Sequence, residues 1–397
     1  MRKLRADWIF DGHRMHQGAT LVMDDAGVVA DLLLQDETAP GDAIESFHGI
    51  LCPGFINAHC HLELSCLRGL VPKGQGLVDF ILQLQRARSG FQQEEVVSAM
   101  EQAETEMRAA GIVGVGDIAN GAVSFRVKEK SRLAYHTFLE VFGFDPAKAG
   151  GILSAALSLR DAAVGRGTGR LPGVVPHAPY SVSPELFGLI AAQARSAEDG
   201  AKPVLLSIHN QESAHEDPFY REGNGDFNRL YRELGMDISY YRPHGSDALE
   251  TWLPWLDGIE KILLVHNTYT RARDIRHAAD RKEIWWCLCP NANLYIENRL
   301  PDIPLFVSKG LRLVLGTDSL ASNDGLSILE EMKTISAHFP TIGLEQLLQW
   351  ATRNGAEFFE WEHLGSFSKG KRPGVNLLTG LHRGKYLSKE TRVKTIR

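Results

Sequence analysis

Beyond residue 50 the chain repeats a strand, a loop and a helix, and this alternation constrains the fold more than any other feature. One helix pattern runs from Val96 to Met107 and stops at Gly111, a plausible C-cap, and the strand Ile112–Asp117 follows directly. Further short apolar strands begin near residues 174, 204, 262, 284 and 311. Such strands, separated by helices, predict a parallel sheet. With about eight units over roughly 310 residues, a closed (β/α)8 barrel of the TIM type is favoured over an open sheet.

The two ends of the chain follow a different pattern. Before residue 50, apolar pieces such as Asp7–Phe10 and Ala19–Met23 are separated by Asp-Gly and Asp-Asp-Ala-Gly turns, which predicts a few antiparallel strands. The segment Gly374–Gly380 returns to strand character, so we expect it to rejoin them. The predicted protein is therefore of the α/β class, with a barrel over 51–366 and a small β-sandwich module composed of 1–50 and 367–397.

Side chains that can bind a metal follow the ends of several predicted strands. They are His59 and His61, His209, His266 and Asp318, with Glu212 three residues after His209. The carboxyl ends of all strands in a parallel barrel open onto one face, so these side chains are expected to meet at one rim although they are far apart in sequence. Imidazole and carboxylate ligands suit Zn²⁺ or Fe²⁺ better than Mg²⁺ or Ca²⁺. The pattern therefore predicts a metal site.

The same strand ends carry motifs that resemble the amidohydrolase superfamily, and within it the branch of cytosine, guanine and adenosine deaminases and related chlorohydrolases. The motifs occur in order over nearly the full chain: Gly54-Phe-Ile-Asn-Ala-His-Cys-His61, Pro176-His-Ala-Pro-Tyr-Ser-Val-Ser183, His209-Asn-Gln-Glu212, His266 and Leu315-Gly-Thr-Asp-Ser-Leu-Ala-Ser-Asn323. Within that branch, the form His-x-His-Leu-Glu-Leu-Ser is similar to aminodeoxyfutalosine deaminase-like and related purine-derivative deaminases.

The resemblance implies a role for each of these residues. One divalent metal, Zn²⁺ in first place and Fe²⁺ as the alternative, would be bound by His59, His61, His209 and Asp318. Glu212 would shuttle protons, and His266 would orient and polarise the nucleophile. His177 stands where binuclear relatives carry a bridging lysine, which favours a single metal. Two departures from the family pattern, Asn210-Gln211 and Asn291-Ala-Asn293, concern the substrate and not the class of chemistry.

The residue types suit hydrolysis. A metal held by three neutral imidazoles and one carboxylate keeps a net positive charge and lowers the pKa of its bound water to roughly 7. Asp318 could accept the proton of that water, and Glu212 could protonate a ring nitrogen and then assist the departing ammonia. The alternatives are a structural carboxylate at a helix N-terminus for Glu212 and a structural histidine for His266.

Three further residues are candidates for substrate binding. They are His177, Asn293 and Glu63. His177 could instead support Glu212, Asn293 could support the metal ligands, and Glu63 could lie on the ordinary surface. The sequence leaves these alternatives open.

The expected function is that of a metal-dependent hydrolytic deaminase. Attack by a metal-bound hydroxide would release ammonia from an exocyclic amine of a purine, pterin or adenosine-type heterocycle. One alternative is an amidohydrolase that acts on a cyclic amide or on another C–N or C–Cl bond. A non-catalytic scaffold is the other, but such a protein would be expected to have lost ligands, and none of the set is missing.

The segment Glu216–Leu249 reads as a long loop between two predicted strands. It holds several aromatic side chains and the arginines Arg221, Arg229, Arg232 and Arg242. Loops of this length in barrels are usually functional, and aromatic faces and arginines suit flat heterocycles with polar arms. We therefore expect a lid over a substrate with an anionic or polar arm, the alternative being a surface excursion that packs on the barrel.

Composition limits the partners and the compartment. The formal net charge of −6 argues against a general affinity for nucleic acid or membranes, which leaves a small-molecule substrate and an open possibility of a homodimer. Five cysteines and an N-terminus without signal-peptide architecture fit a reduced cytoplasmic location. The pair Cys287-x-Cys289 could bind zinc, but two small residues in a buried strand are favoured because no second cysteine pair completes a site.

Overall fold

The structure, a computed structural model of the chain, describes residues 1–34, 43–163, 171–196 and 204–396. Within these ranges the strands are β1 (Arg2–Arg5), β2 (Trp8–Phe10), β3 (Met15–Gln17), β4 (Thr20–Met23), β5 (Val29–Leu33), β6 (Glu45–Ser46), β7 (Ile50–Pro53), β8 (Phe55–Cys60), β9 (Ile112–Ala119), β10 (Ala134–Val141), β11 (Gly173–Pro176), β12 (Leu205–Asn210), β13 (Lys261–His266), β14 (Ile284–Leu288), β15 (Leu313–Leu315), β16 (Val375–Thr379) and β17 (Arg392–Ile396).

The α-helices of the same ranges are α1 (Leu77–Arg88), α2 (Gln93–Ala109), α3 (Phe125–Glu129), α4 (Ala149–Ala162), α5 (Pro184–Arg195), α6 (Glu216–Glu222), α7 (Phe227–Glu233), α8 (Ala248–Trp252), α9 (Ala272–Ala278), α10 (Pro290–Glu297), α11 (Ile303–Ser308), α12 (Ile328–His338), α13 (Leu344–Ala351) and α14 (Arg353–Phe359). Two predicted helix ends are confirmed. Gly111 follows α2 with a positive φ of 79°, and the Ser183 hydroxyl accepts the Leu186 amide at 3.2 Å at the start of α5.

Eight consecutive strands, β8 to β15, form two parallel sheets. Their orders are β11-β10-β9-β8 and β12-β13-β14-β15. Each strand pairs in parallel with its neighbour in the chain, and helices lie on the connections between them. The predicted α/β class with parallel strands is therefore confirmed.

Backbone hydrogen bonds also join the outer strands of these two sheets. The His209 amide of β12 donates to the His177 carbonyl, just after β11, at 3.0 Å. On the other side, the amides of Thr317 and Asp318 donate to the His59 carbonyl of β8 at 3.0 and 3.1 Å, and Cys60 forms a parallel bridge with Asp318. The carboxyl ends of the two sheets therefore lie side by side where the metal ligands were predicted.

Strands from both ends of the chain share one sheet, with the order β17-β16-β7-β2-β3. Strand β16 pairs antiparallel with β7, so part of Gly374–Gly380 lies in the same sheet as β2 and β3. A second sheet, β5-β4-β1-β6, shares with the first an apolar cluster that includes Leu4, Leu21, Leu51 and Val375. The terminal sheet reaches Pro53, past the boundary predicted at residue 50. The division into domains stays a prediction, and parts of it (residues 35–42, 164–170, 197–203 and 397) lie outside the described ranges.

Gly54 lies between β7 and β8 in the apolar stretch Ile50–Ile56. Its amide donates to the Pro373 carbonyl at 3.1 Å. A Cβ at this position would lie 2.2 Å from Cγ1 of Val113 and 2.8 Å from the Pro373 oxygen. Only glycine therefore lets the chain pass this closely from the terminal sheet into the strand that carries His59.

We expect Gly54→Ala to lower the free energy of unfolding by about 1–3 kcal/mol, because the added methyl group overlaps Val113 and a backbone oxygen that cannot rotate away. Urea denaturation of the variant and the wild type measures the change. Gly121→Ala is the matched control, since a Cβ there would meet nothing within 4 Å. Equal stability of the two variants would contradict this account of Gly54.

Several elements were not predicted. Strand β10 was missed, and the segment Glu216–Leu249, predicted as a long loop, contains α6 and α7. Each of these two helices has only seven residues, and Gly223 ends the first with a positive φ of 71°. A helix of two turns is too short for its apolar period to be recognised in a sequence.

Cys287 and Cys289 were interpreted as two small residues of a buried strand, and their burial agrees with this interpretation. The sulfurs of Cys287 and Cys289 are buried and lie 4.0 Å apart. Burial raises the pKa of Cys289 well above its usual value. Neither belongs to a group of potential metal ligands within the described part of the chain.

Among the described residues, no helix combines the length and the apolar character that crossing a bilayer requires.

Candidate metal centre

The four predicted metal ligands come together at the carboxyl ends of three strands. His59 lies in β8 and His61 directly after it, His209 lies in β12, and Asp318 follows β15. Each is buried and offers one ligand atom, and these four atoms lie within 4.8 Å of one another. Residues separated by up to 259 positions (318 − 59) therefore form one cluster.

The spacing of the ligand atoms fits one zinc-sized ion. Nε2 of His61 lies 3.1 Å from Nε2 of His59 and 3.2 Å from Nε2 of His209. Oδ1 of Asp318 lies 3.5 and 3.4 Å from the Nε2 atoms of His59 and His61. Tetrahedral zinc with ligand distances near 2.0–2.1 Å requires ligand atoms about 3.3 Å apart. The observed separations match this value.

The protonation states suit metal binding. Burial lowers the pKa of His61 to about 3 and that of His209 well below its usual value, so both imidazoles are neutral near pH 7. Burial alone would raise the pKa of Asp318. The hydrogen bond with His59 and the electrostatic interactions with the His61 and His266 rings outweigh it, and the pKa falls well below the usual range. Neutral imidazoles and an ionised carboxylate are the forms that ligate a metal.

Neighbouring groups orient two of the ligands. Nδ1 of His209 donates to the His177 carbonyl at 2.7 Å, which leaves Nε2 of that ring free for a metal. The Ser322 hydroxyl donates to Oδ2 of Asp318, which leaves Oδ1 toward the histidines. Ser322 belongs to the motif Leu315–Asn323, but its contact with the Asp318 carboxylate was not predicted.

Glu212 and His266 lie together beside this cluster. Nε2 of His266 is 3.6 Å from Oε1 of Glu212, and Nδ1 of His266 is 2.9 Å from Oδ1 of Asn293. Burial and the nearby Asp318 charge raise the pKa of Glu212 well above its usual value. A carboxyl group with a raised pKa can hold and donate a proton at neutral pH.

Unusual backbone conformations concentrate at this site. Seven non-glycine residues in the described ranges have a positive φ, and four of them are Gln211, His266, Asn267 and Asp318, next to or within the cluster. A positive φ is costly for residues other than glycine and persists only where surrounding contacts impose it. The conformation of the site is therefore set by its contacts and not by local preference.

Glu216 provides such contacts for the turn that carries Glu212. Its Oε1 accepts the amides of Glu212 and Ser213 at 2.7 and 3.3 Å, and its Oε2 accepts the Gln211 amide at 2.9 Å. The side chain is buried, and burial raises its pKa well above the usual value. Both oxygens face backbone amides, so Glu216 holds the turn.

The cluster opens into a cavity of about 390 Å³. Of the residues predicted to bind substrate, His177 lines this cavity, and its Nδ1 lies 2.7 Å from the Ser181 hydroxyl. Asn293 and Glu63 do not belong to the lining. Asn293 lies behind His266, and its side-chain nitrogen also donates to the His266 carbonyl at 3.3 Å. These contacts assign Asn293 to the support of His266.

Glu63 lies in a short 3-10 helix over Leu62–Leu67 and is not among the residues that line the cavity. Its Oε1 accepts from Arg88 at 2.9 Å, and its Oε2 accepts the Asn120 amide at 3.2 Å. Both carboxylate oxygens therefore contact protein groups, and the substrate-binding role of Glu63 stays a prediction.

Glu140 is a cavity residue that the sequence analysis missed. It lies near the carboxyl end of β10, its Oε2 accepts from Asn120 at 3.0 Å, and burial raises its pKa to about 7. The rule that polar residues at strand ends face the site would have found it if β10 had been recognised. Glu140, His177 and His209 form a second group with potential ligand atoms within 4.8 Å of one another. Nδ1–H of His209 already donates to the His177 carbonyl, so this nitrogen is not available as the third ligand of a second metal.

Comparisons with known proteins agree with this geometry. The family model described as the amidohydrolase family matches residues 50–391. An adenosine deaminase of Helicobacter pylori is 25% identical over 78% of this chain and 74% of its own length. An aminodeoxyfutalosine deaminase of Deinococcus radiodurans is 29% identical over 80% of this chain and 75% of its own.

Solved structures share the fold. Helicobacter pylori aminofutalosine deaminase in complex with methylthio-coformycin superposes with a TM-score of 0.80 at 21% identity, over 98% of this chain and 94% of that one. An atrazine chlorohydrolase of Arthrobacter aurescens complexed with zinc superposes with a TM-score of 0.74 at 17% identity, over 98% and 93% of the two chains. At these identities the likeness concerns the fold alone.

Proposed function

Because the chain belongs to the amidohydrolase family, we propose that it is a metal-dependent hydrolytic deaminase that releases ammonia from an exocyclic amine of a purine, pterin or adenosine-type heterocycle. One observation carries the proposal. Glu212, whose pKa is raised, lines the same cavity as the cluster of three imidazoles and one carboxylate that can hold a metal. A metal site beside a proton donor is what hydrolytic removal of an aromatic amine requires.

The proposal includes the fold around the site. We infer that β8 to β15 close into one (β/α)8 barrel, supported by the hydrogen bonds that join the outer strands of both parallel sheets. The terminal sheets then form the composite module. A cytoplasmic location and a homodimer stay predictions from the sequence.

The metal we propose is Zn²⁺, with Fe²⁺ as the alternative, held by His59, His61, His209 and Asp318. When bound, it supplies Lewis-acid activation of a water molecule. Asp318 would accept a proton from the nucleophile, since its Oδ1 lies among the ligand atoms and Ser322 holds its Oδ2.

Glu212 is the proposed proton donor to the heterocycle. Its carboxyl group protonates the ring nitrogen next to the carbon that is attacked, which prepares the amine to leave. His266 orients this carboxyl through its Nε2, and Asn293 fixes the ring by accepting a hydrogen bond from Nδ1–H. His177, on the cavity wall, contacts the substrate.

Ammonia release measured across a panel of aminopurines, pterins and adenosine derivatives tests the proposal, with metal content determined on the same sample. We expect stoichiometric ammonia from at least one heterocycle and one metal per chain. A metal-replete sample that releases no ammonia, or that releases chloride from chlorinated rings instead, would favour the other hydrolytic alternative.

We expect Glu216→Gln to reduce kcat by about 10-fold and to leave the metal content unchanged. The amide cannot accept at both positions, so one backbone N–H of the turn loses its partner at a cost of about 1–3 kcal/mol, and Glu212 is displaced. Steady-state kinetics and elemental analysis measure both quantities. Glu222→Gln, an exposed position at the end of the same helix, is the control. Wild-type kcat in Glu216→Gln would show that the turn does not depend on this carboxylate.

A further inference from the structure

One wall of the cavity is apolar and is built by two helices. The side chains that α1 contributes recur at the spacing of one helix face, and the end of α7 and the residues after it supply the rest. The wall consists of Leu77, Phe80, Ile81 and Leu84 from α1 and of Leu230, Leu234 and Met236 from the α7 region.

The seven side chains of this wall carry no nitrogen or oxygen atom, and Gln85 and Arg88 of α1 line the cavity beside them. Tyr231 also lines the cavity, but its hydroxyl donates to the Tyr180 carbonyl. Three lining side chains are uncovered at the mouth: Phe142 is 55%, Leu234 41% and Met236 38% exposed. Large apolar side chains exposed together around a cavity indicate a surface that a ligand covers.

The arginines that predicted an anionic arm are directed elsewhere. They are Arg221, Arg229, Arg232 and Arg242, and none belongs to the cavity lining. Arg221 forms an ion pair with Asp247, and Arg242 donates to two backbone carbonyls. Arg229 donates to both oxygens of Asp79 at 2.7 and 3.0 Å. Since Asp79 lies on α1, Arg229 joins the two helices of the apolar wall.

The charges in the cavity also disfavour an anion. Among the described residues of the lining, Arg88 is the one arginine or lysine, and its guanidinium is paired with Glu63 at 2.9 Å. The lining also contains the carboxyl groups of Glu140, Glu212 and Asp318, and burial raises the pKa of the first two. An anionic arm on the apolar wall would lose its water with Arg88 as the one arginine or lysine of the described lining, and that guanidinium already contacts Glu63, which is unfavourable.

We propose that the substrate carries an uncharged, apolar arm beyond its heterocycle, and that this arm lies on the wall formed by α1 and the α7 region. The inference rests on the proposed deaminase function and names the class of substrate for the same site. It also replaces the lid predicted over Glu216–Leu249 by a narrower contact. The part of that segment that lines the cavity is confined to Leu230, Tyr231, Leu234 and Met236.

Two adenosine analogues test the inference on the metal-replete full chain. Both carry a thioether at the 5′ position, one ending in a butyl group and the other in a carboxylate of similar length. We expect kcat/KM for the butyl analogue to exceed that for the carboxylate analogue by about 10²-fold, since a charge that the wall cannot pair is rejected strongly.

Leu234→Arg places a cation on the wall at an exposed position, where folding tolerates it. We expect the butyl-to-carboxylate ratio of kcat/KM to fall by at least about 10-fold in this variant. Leu189→Arg is the matched control, because Leu189 is exposed to a similar extent, 38% against 41%, lies on α5 and is not part of the cavity. The control variant should keep the wild-type ratio.

Equilibrium dissociation constants of the same two analogues are measured in parallel, so the inference is decided even if neither is turned over. Tighter binding of the butyl analogue, reversed by Leu234→Arg, supports it. A wild-type preference for the carboxylate, or a ratio that Leu234→Arg leaves unchanged, overturns it. Loss of ammonia release with all heterocycles would count against the proposed function instead, and the binding ratio would still decide the nature of the arm.

Discussion

Wild-type protein should contain one metal ion per chain, and the variants His59→Ala and Asp318→Ala should lose it. The four ligand atoms lie within 4.8 Å of one another and are buried, so removal of one leaves an incomplete set that solvent cannot readily replace. We expect turnover to fall by at least about 10³-fold, because the group that activates the water is lost. Elemental analysis and ammonia release, measured on the same samples, give both quantities.

His48→Ala is the control for this experiment, since the His48 side chain is fully exposed and is not one of the clustered ligands. It should retain the metal and the activity. Two metals per chain in the wild type would contradict the single site and would direct attention to Glu140, His177 and His209. A full complement of metal in either ligand variant would remove that residue from the proposed set.

Glu212→Gln is expected to lower kcat by about 10²-fold or more while the metal and the fold remain, because general acid–base catalysis contributes about 10²–10⁴-fold. Glu212 is not among the four clustered ligands, and Glu216 holds its backbone independently of the Glu212 side chain. The amide of glutamine keeps the size of the carboxyl group but cannot transfer its proton. Steady-state kinetics, metal analysis and thermal unfolding test the three parts of the expectation.

The Glu216→Gln variant provides the comparison for this result. If Glu212 transfers the proton and Glu216 only holds the turn, Glu212→Gln should have the larger loss in kcat, by about 10-fold or more. A Glu212→Gln enzyme with wild-type kcat, or one with a smaller loss than Glu216→Gln, would transfer the proton role to another group.

Much of the metal centre was predictable from the sequence because the fold class follows from a repeated pattern. Apolar strands that alternate with helices specify parallel strands, and parallel strands deliver their carboxyl ends to one edge. The meeting of His59, His209 and Asp318 therefore depends on strand order alone. No detail of side-chain packing is needed to predict it.

The supporting residues could not be predicted in this way, because their partners are chosen by tertiary packing. Glu216 and Asn293 face a backbone turn and His266, while Glu63 faces Arg88, and no local period in the sequence encodes these directions. If β10 had been recognised, Glu140 could have been predicted to line the cavity. Its hydrogen bond with Asn120 could not have been predicted.

The proposed substrate arm shows most clearly the difference between what the sequence predicts and what tertiary packing decides. The arginines of Glu216–Leu249 are visible in the sequence, and there they suggested an anionic ligand. The structure directs Arg229 to Asp79 and Arg221 to Asp247, so their charges are satisfied within the protein. The sequence by itself determined which residue types reach the rim, since strand order decides that. Only the tertiary structure decided which of them face the cavity, because a long side chain takes its partner from whichever element packs beside it.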